Sequence, residues 1–196
     1  MLKKSRVRGE MKPLSVREVR TIESILATKE RWRDLALFRL GIDSLLRASD
    51  LVRIYVDEIT DHNGKIVTRA ELMMKKTKRK VKFAISTDTA EAVRRWIDTR
   101  PAFSGEWLFP GREAGDHLSE VQYRKLAKGW FAACGLDVRR YSTHSLRRTK
   151  AAEVYRQTHN IEAVSRLLGH TTVTQTSRYL GIQDEDALDL AEKVKI

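Results

Sequence analysis

Cysteine appears once in 196 residues, and no apolar run approaches the roughly 20 residues that a membrane span requires. A lone Cys134 excludes an internal disulfide framework and the usual four-ligand zinc clusters. Standing in FAACG, near the end of a helical pattern, it is expected to be a buried thiol. Three prolines and ten glycines leave little room for long linkers, and there is no internal repeat. No glycine-rich phosphate loop appears, so ATP use is not expected, and no serine stands in a nucleophile elbow. His144, His159 and His170 lack the i, i+4 pairing and nearby carboxylates of a helix-borne zinc site, so neither a metal nor a cofactor is expected. The N-terminus MLKKSRVRGEMK is basic but lacks the apolar stretch of a signal peptide, which favours a cytoplasmic location. Acidic residues are also short: 26 Asp and Glu face 38 Lys and Arg, a net charge of +12. That surplus points to a polyanionic partner, nucleic acid first and an acidic membrane surface second.

What is present suits one domain. With 41% hydrophobic residues the chain can bury a real core. After a basic, flexible arm over residues 1–12, PLSVREVRTIESILA opens on Pro13 and carries a capping box, Ser15 with Glu18. RDLALFRLGIDSLL reads as a central apolar helix, followed by a short helical turn, ASDLVRI. The period then changes. RIYVDEITDHNGKIVTRAELMM carries β-branched and aromatic residues on both sides of the turn signal Asn63-Gly64, and KVKFAIS makes a third strand. STDTAEAVRRWIDTR returns to helix, WLFP is a short extended piece, and LSEVQYRKLAKGWFAAC has a second capping box, Ser119 with Gln122. THSLRRTKAAEVYRQT, NIEAVSRLLG, TVTQTSRYL and DEDALDLAEKV complete a helical second half, with Gly169 as a C-cap. The expected fold is mainly α with a small three-stranded antiparallel β-sheet.

Four stretches could carry chemistry. In HSLRRT, His144 and Arg147 are three apart and share a helical face. A helix beginning near His144 would add unpaired N–H groups and a positive dipole end to an anion site. Arg148, one step round, need not join them. In SLLRASD, Arg47 ends an apolar helical run, where a guanidinium is out of place unless something anionic meets it. Asp50, three residues on, could hold it in orientation or simply form a surface ion pair. The run KKTKRKVK has six basic residues in eight between two strands, an exposed loop shaped to meet a phosphate backbone through Lys75, Lys78, Arg79 and Lys80. Within it, Lys76 is the candidate for chemistry. Finally, LLGHTTVTQTSRYLG sets Tyr179 nine residues after His170. A phenol of pKa near 10 is ionised to about one part in a thousand at neutral pH, so making it a nucleophile means offsetting roughly 4 kcal/mol with a base or cationic neighbours.

Together these stretches resemble the catalytic domain of the tyrosine recombinases, the phage integrase family. LLRASDL is similar to its first box, with Arg47; KKTKRKVKFAI to its β-hairpin, with Lys76; THSLRRTKA to its His-x-x-Arg box; and LLGHTTVTQTSRYLG to its Leu-Gly-His segment and tyrosine. The likeness runs from about residue 13 to the C-terminus. Two departures stand out. Lys78 occupies the glycine position of the Lys-Thr-Gly that many members carry, and the chain has only a basic arm where most members have a further DNA-binding domain. The resemblance is strongest to short stand-alone bacterial integrases, and Met1 with its basic arm favours a natural short form over an excised domain.

The resemblance implies a site-specific DNA recombinase in which Tyr179 attacks a phosphodiester of double-stranded DNA. The products are a 3′-phosphotyrosyl link and a free 5′-hydroxyl, made without metal or nucleotide. Arg47 and Arg147 would brace the phosphate oxygens, Lys76 would protonate the leaving 5′-oxygen, and His144 and His170 would assist proton transfer, with the general base left open between them. Arg148 would contact the DNA. The tail GIQDEDALDLAEKVKI, a helix over about 184–194 with an Asp184 cap and apolar Ala187, Leu188, Leu190 and Ala191, would be exchanged between protomers. The assembly expected is a homotetramer on two synapsed sites, and a monomer or weak oligomer without DNA. Two rivals remain: a type IB topoisomerase, which reseals the same strand, and a DNA-binding regulator with a vestigial site.

Overall fold

In the computed structural model, residues 11–101, 105–113, 115–181 and 192 are described. The chain forms eight helices and one hairpin among these residues: α1 Val16–Thr28, α2 Trp32–Asp43, α3 Ala48–Leu51, β1 Arg69–Met73, β2 Lys80–Ala84, α4 Thr87–Thr99, α5 Glu120–Ala133, α6 Thr143–Thr158, α7 Ile161–Leu168 and α8 Val173–Leu180. Both expected capping boxes form, at Ser15–Glu18 and Ser119–Gln122. Gly169 closes α7 in the left-handed region at φ 61°, where a side chain would be strained. The arm's first ten residues and, apart from Glu192, the helix expected over about 184–194 lie outside the described residues.

α2 is the hub. It is buried along most of its length, as an apolar run without a polar face requires, and it packs against α1, α4 and α6. Gly41 permits the closest approach, since a Cβ there would stand 2.6 Å from the Tyr123 hydroxyl and 3.1 Å from Leu146. Trp130, Tyr123, Phe38, Phe109 and Phe131 supply the bulk of the main core. A second, smaller cluster joins Leu45 to Ala151, Val164 and Leu168, with Tyr179 and Leu180 packed against it. Leu45 holds a left-handed backbone, φ 51°, just before Arg47. Such a conformation costs a branched residue about 1–2 kcal/mol, and burial of Leu45 in this cluster holds it there.

The sheet has two strands, which corrects the expected three. β1 and β2 pair antiparallel from Arg69 opposite Ala84 to Met73 opposite Lys80, each with alternate residues buried. The segment before the Asn63-Gly64 turn meets the next only around the turn, at the bridge between Thr60 and Ile66, at Val67 N–H to Ile59 O and at Asp61 N–H to Lys65 O, both 2.9 Å. Its backbone groups are engaged elsewhere. Ile54 O accepts from Leu108 N–H at 2.8 Å, Val56 N–H donates to Glu106 O at 2.9 Å, and Ile59 N–H turns back to Val56 O. The extended WLFP piece thus takes the partners that a third strand would need. Cys134, at the end of α5, is half-buried, not buried; its Sγ lies 3.9 Å from Glu18 O.

Candidate active site

Three pieces of chain converge where α2 ends. α6 begins at Thr143, capped by Ser142, so His144 lies in its first turn and Arg147 one turn further in. This is the helix N-terminus that the sequence anticipated. His144 stands at the exposed mouth of the site, whereas Arg147 is only 4% exposed. One nitrogen of Arg147, Nη2, donates to the carbonyl of Leu168 at the end of α7. Arg47 leaves the chain between α2 and α3, half-buried, and its Nη1 lies 3.2 Å from Met74 Sδ. Among the described residues neither Arg47 nor Arg147 pairs with a carboxylate.

α8 brings Tyr179 against Arg147 and Arg148. Its ring lies 5.9 Å from the Arg147 guanidinium carbon and 5.2 Å from that of Arg148, and it meets His170 edge-on at 5.5 Å. Arg148, which the helical spacing left free to join this face or not, therefore lies against the phenol ring. His170 follows the α7 cap, and its Nδ1 lies 3.0 Å from the hydroxyl of Thr176.

Asp50 does not orient Arg47 as anticipated. Its Oδ1 accepts the backbone N–H of Lys75 at 2.8 Å, which ties the base of the hairpin to α3. At the hairpin tip Lys75, Lys76, Lys78, Arg79 and Lys80 are exposed, while Thr77 turns inward. Lys78 adopts φ 53°, so it does occupy a position suited to glycine. Lys80 is held 2.8 Å from Glu71 across the strands, a surface ion pair.

Electrostatics follow from this crowding. Burial pushes the Tyr179 phenol up to about 12, outweighing the three arginines that pull it down. Burial likewise lowers Arg147 to about 10, still a cation at neutral pH. His170 falls to about 4 and His144 falls too, in each case through desolvation first and then repulsion from Arg147 and Arg47. Both imidazoles are therefore neutral at pH 7. Four buried polar atoms here find no hydrogen-bond partner: Asp50 Oδ2, Thr77 Oγ1, Arg147 Nε and Tyr179 Oη. The one other such atom among the described residues, Glu23 Oε1, faces Arg39 Nε at 2.8 Å. Orphaned buried groups cost about 1–3 kcal/mol each, and two of these, Arg147 Nε and Tyr179 Oη, are donors on side chains that lie against each other, a pair suited to an anion with acceptor oxygens.

Sequence reasoning missed Thr176, Met74 and the inward hydroxyl of Thr77. No periodic rule links Thr176 to His170, which lies outside its helix, or Met74 to Arg47 across the fold. Met74 also explains part of the glycine in LLGH, since a Cβ at Gly169 would come within 2.9 Å of its methyl carbon.

The fold is thus a helical bundle with a basic hairpin, and it sets a phenol beside two guanidinium groups. The profile of the phage integrase family matches residues 12–186, and the chain belongs to that family, the tyrosine-type site-specific DNA recombinases. It is 31% identical over 180 residues to the probable integrase/recombinase YoeC of Bacillus subtilis (strain 168), covering 92% of this chain and 93% of that protein. It is 32% identical over 149 residues to tyrosine recombinase XerC of Neisseria gonorrhoeae (strain ATCC 700825 / FA 1090), covering 75% of this chain but 46% of XerC. The chain thus spans nearly the whole of the first and about half of the second. The fold matches the crystal structure of XerA recombinase with a TM-score of 0.77 at 16% identity, over 96% of this chain and 67% of XerA. It matches XerH, bound to palindromic difH substrate in a post-cleavage complex, with a TM-score of 0.73 at 16% identity, over 97% of this chain and 55% of XerH. No described helix is long and apolar enough to cross a membrane.

Proposed function

We propose that this chain cleaves and rejoins double-stranded DNA through Tyr179, as a site-specific recombinase acting without a nucleotide cofactor. The observation that carries the reading is the set of orphaned polar atoms around Arg47, Arg147 and the Tyr179 hydroxyl. A phosphodiester offers the acceptor oxygens that Arg147 Nε–H and the Tyr179 hydroxyl lack. Arg147 Nε and the Arg47 guanidinium would bind its two non-bridging oxygens. Their effect grows as negative charge accumulates on a five-coordinate phosphorus, where removing one fixed donor typically costs about 10²–10³ in rate. Met74 Sδ is a weak acceptor, so Arg47 exchanges it readily for an anionic oxygen.

A phenol at about 12 is ionised to about one part in 10⁵ at pH 7. Attack therefore proceeds with proton removal in the same step, and His144 and His170, both neutral, are the groups placed to take part. Tyr179 Oη forms the bond to phosphorus and the 5′-oxygen leaves. Lys76, on the hairpin that Asp50 anchors, supplies the proton that makes it a hydroxyl. The incoming 5′-hydroxyl of a partner strand reverses both transfers, so bond energy is retained. Lys75, Lys78, Arg79, Lys80 and Arg148 would contact the backbone on either side, with Arg148 also covering the tyrosine ring. Exchange of both strands between two duplexes breaks four phosphodiesters. One nucleophile per chain then requires four chains on the synapsed sites, which is the basis for a tetramer.

The test is incubation with a nicked duplex carrying candidate sites, resolved on a denaturing gel. Wild-type protein is expected to yield a covalent adduct, and Tyr179→Phe to bind with unchanged affinity and yield none. Relaxation of supercoiled DNA with no exchange between duplexes would instead identify a topoisomerase.

A further inference from the structure

Thr176 is fully buried in the first turn of α8, and its hydroxyl does not make the local bond that four helical threonines of this chain make. Thr21, Thr99, Thr149 and Thr158 each donate to the carbonyl four residues back, at 2.7 to 2.9 Å, the local bond that helical threonines ordinarily make. Thr176 makes no such bond. Its one hydrogen-bond contact among the described residues is His170 Nδ1, 3.0 Å away. A neutral imidazole has one N–H and one bare nitrogen. If Nδ1 carried the proton, the Thr176 hydrogen would point at another hydrogen or at nothing, an orphaned donor in a fully buried place. If Nδ1 is bare, the hydroxyl hydrogen is satisfied and the ring's own proton lies on Nε2.

Resting on the proposed function, we infer that Thr176 is a positioning residue that fixes His170 as the Nε2–H tautomer, so that the ring presents an N–H on the side Thr176 does not hold. The ring meets Tyr179 edge-on, so Thr176 also sets the imidazole plane against the nucleophile. A histidine whose bare nitrogen is already occupied by a threonine O–H cannot also accept a proton there.

Two measurements test this, and they separate the tautomer from the reaction. In Tyr179→Phe protein without DNA, side-chain ¹⁵N spectra at pH 7, with the His170 signals assigned by their loss in His170→Gln, are expected to show protonated Nε2 and bare Nδ1. Thr176→Val, similar in shape but without the hydroxyl, is expected to give a mixture of tautomers with its thermal transition still cooperative. In wild-type background, Thr176→Val is expected to slow adduct formation by about 10–100-fold, the usual cost of removing a group that orients a reactive imidazole, with DNA affinity unchanged and Thr176→Ser restoring the rate. A proton found on Nδ1, an unaltered tautomer in Thr176→Val, or a serine variant as slow as valine despite intact folding would each overturn the inference. If no protein makes an adduct while the tautomer behaves as expected, Thr176 still orders His170 and the recombinase reading is what fails.

Discussion

Tyr179 and His170 illustrate how burial sets the charge of side chains in this pocket. Both are held neutral by exclusion of water, and in both the arginines are too weak to reverse or too similar in sign to help. For His170 the consequence can be read from stability. Its ordinary value is 6.5, and in the folded chain it lies near 4 beside Arg147 and Arg47. Between those values the unfolded chain binds more protons than the folded one, so stability that is complete above about 6.5 is lost as the pH falls toward 4. His144 contributes in the same direction. In DNA-free protein, the drop in urea midpoint between pH 7 and pH 5 is expected to shrink in His170→Gln. An unchanged drop would mean that the imidazole is better solvated than its surroundings imply.

At the scale of elements, the hairpin is the part whose position matters most and whose own contacts hold it least. Two strands with exposed lysines are marginal alone, and the bond from Asp50 Oδ1 to Lys75 N–H fastens them to α3. Asp50→Ala is expected to raise the exchange rate of the Lys75 amide and to lower adduct formation about tenfold or more, since misplacement by an ångström is enough to cost that much, with DNA affinity little changed. A fully protected Lys75 amide in that variant would contradict the anchoring role. The elements themselves were largely legible. Capping boxes at Ser15 and Ser119 and the glycine after Leu168 are local signals, and each helix starts or stops where they stand. The third strand was not legible, because β-branched residues between Ile54 and Thr60 report a preference for extended backbone but not its partner. The competing partner, Glu106 to Leu108, lies some fifty residues away and leaves no mark on the strand's own pattern.

Across the whole molecule, the large core and the small one divide the work. The first orders α2, from whose end Arg47 emerges, and the second packs α6, α7 and α8 so that Arg147, His170 and Tyr179 share one enclosure. Motif order alone foretold that these residues belong together, since spacing such as His-x-x-Arg and nine residues from His170 to Tyr179 is written in the chain. What spacing could not convey is which neighbour each side chain takes. Asp50 was placed with Arg47 and instead binds the hairpin, Arg148 was left open and lies against the phenol ring, and Thr176 carried no signal. Polar side chains choose partners through tertiary geometry, and hydroxyl residues are common enough that one more in TTVTQTS is uninformative.

The central claim is that the Tyr179 oxygen bonds to phosphorus. It is tested most directly by trapping the protein on a nicked duplex, digesting the adduct with trypsin and a nuclease, and locating the residual nucleotide by mass spectrometry. Cleavage after Arg178 frees a peptide that begins at Tyr179. The account predicts a 3′-phosphoryl nucleotide on that tyrosine and on no other residue. An adduct carried by a different side chain, or a 5′-phosphoryl linkage, would contradict it.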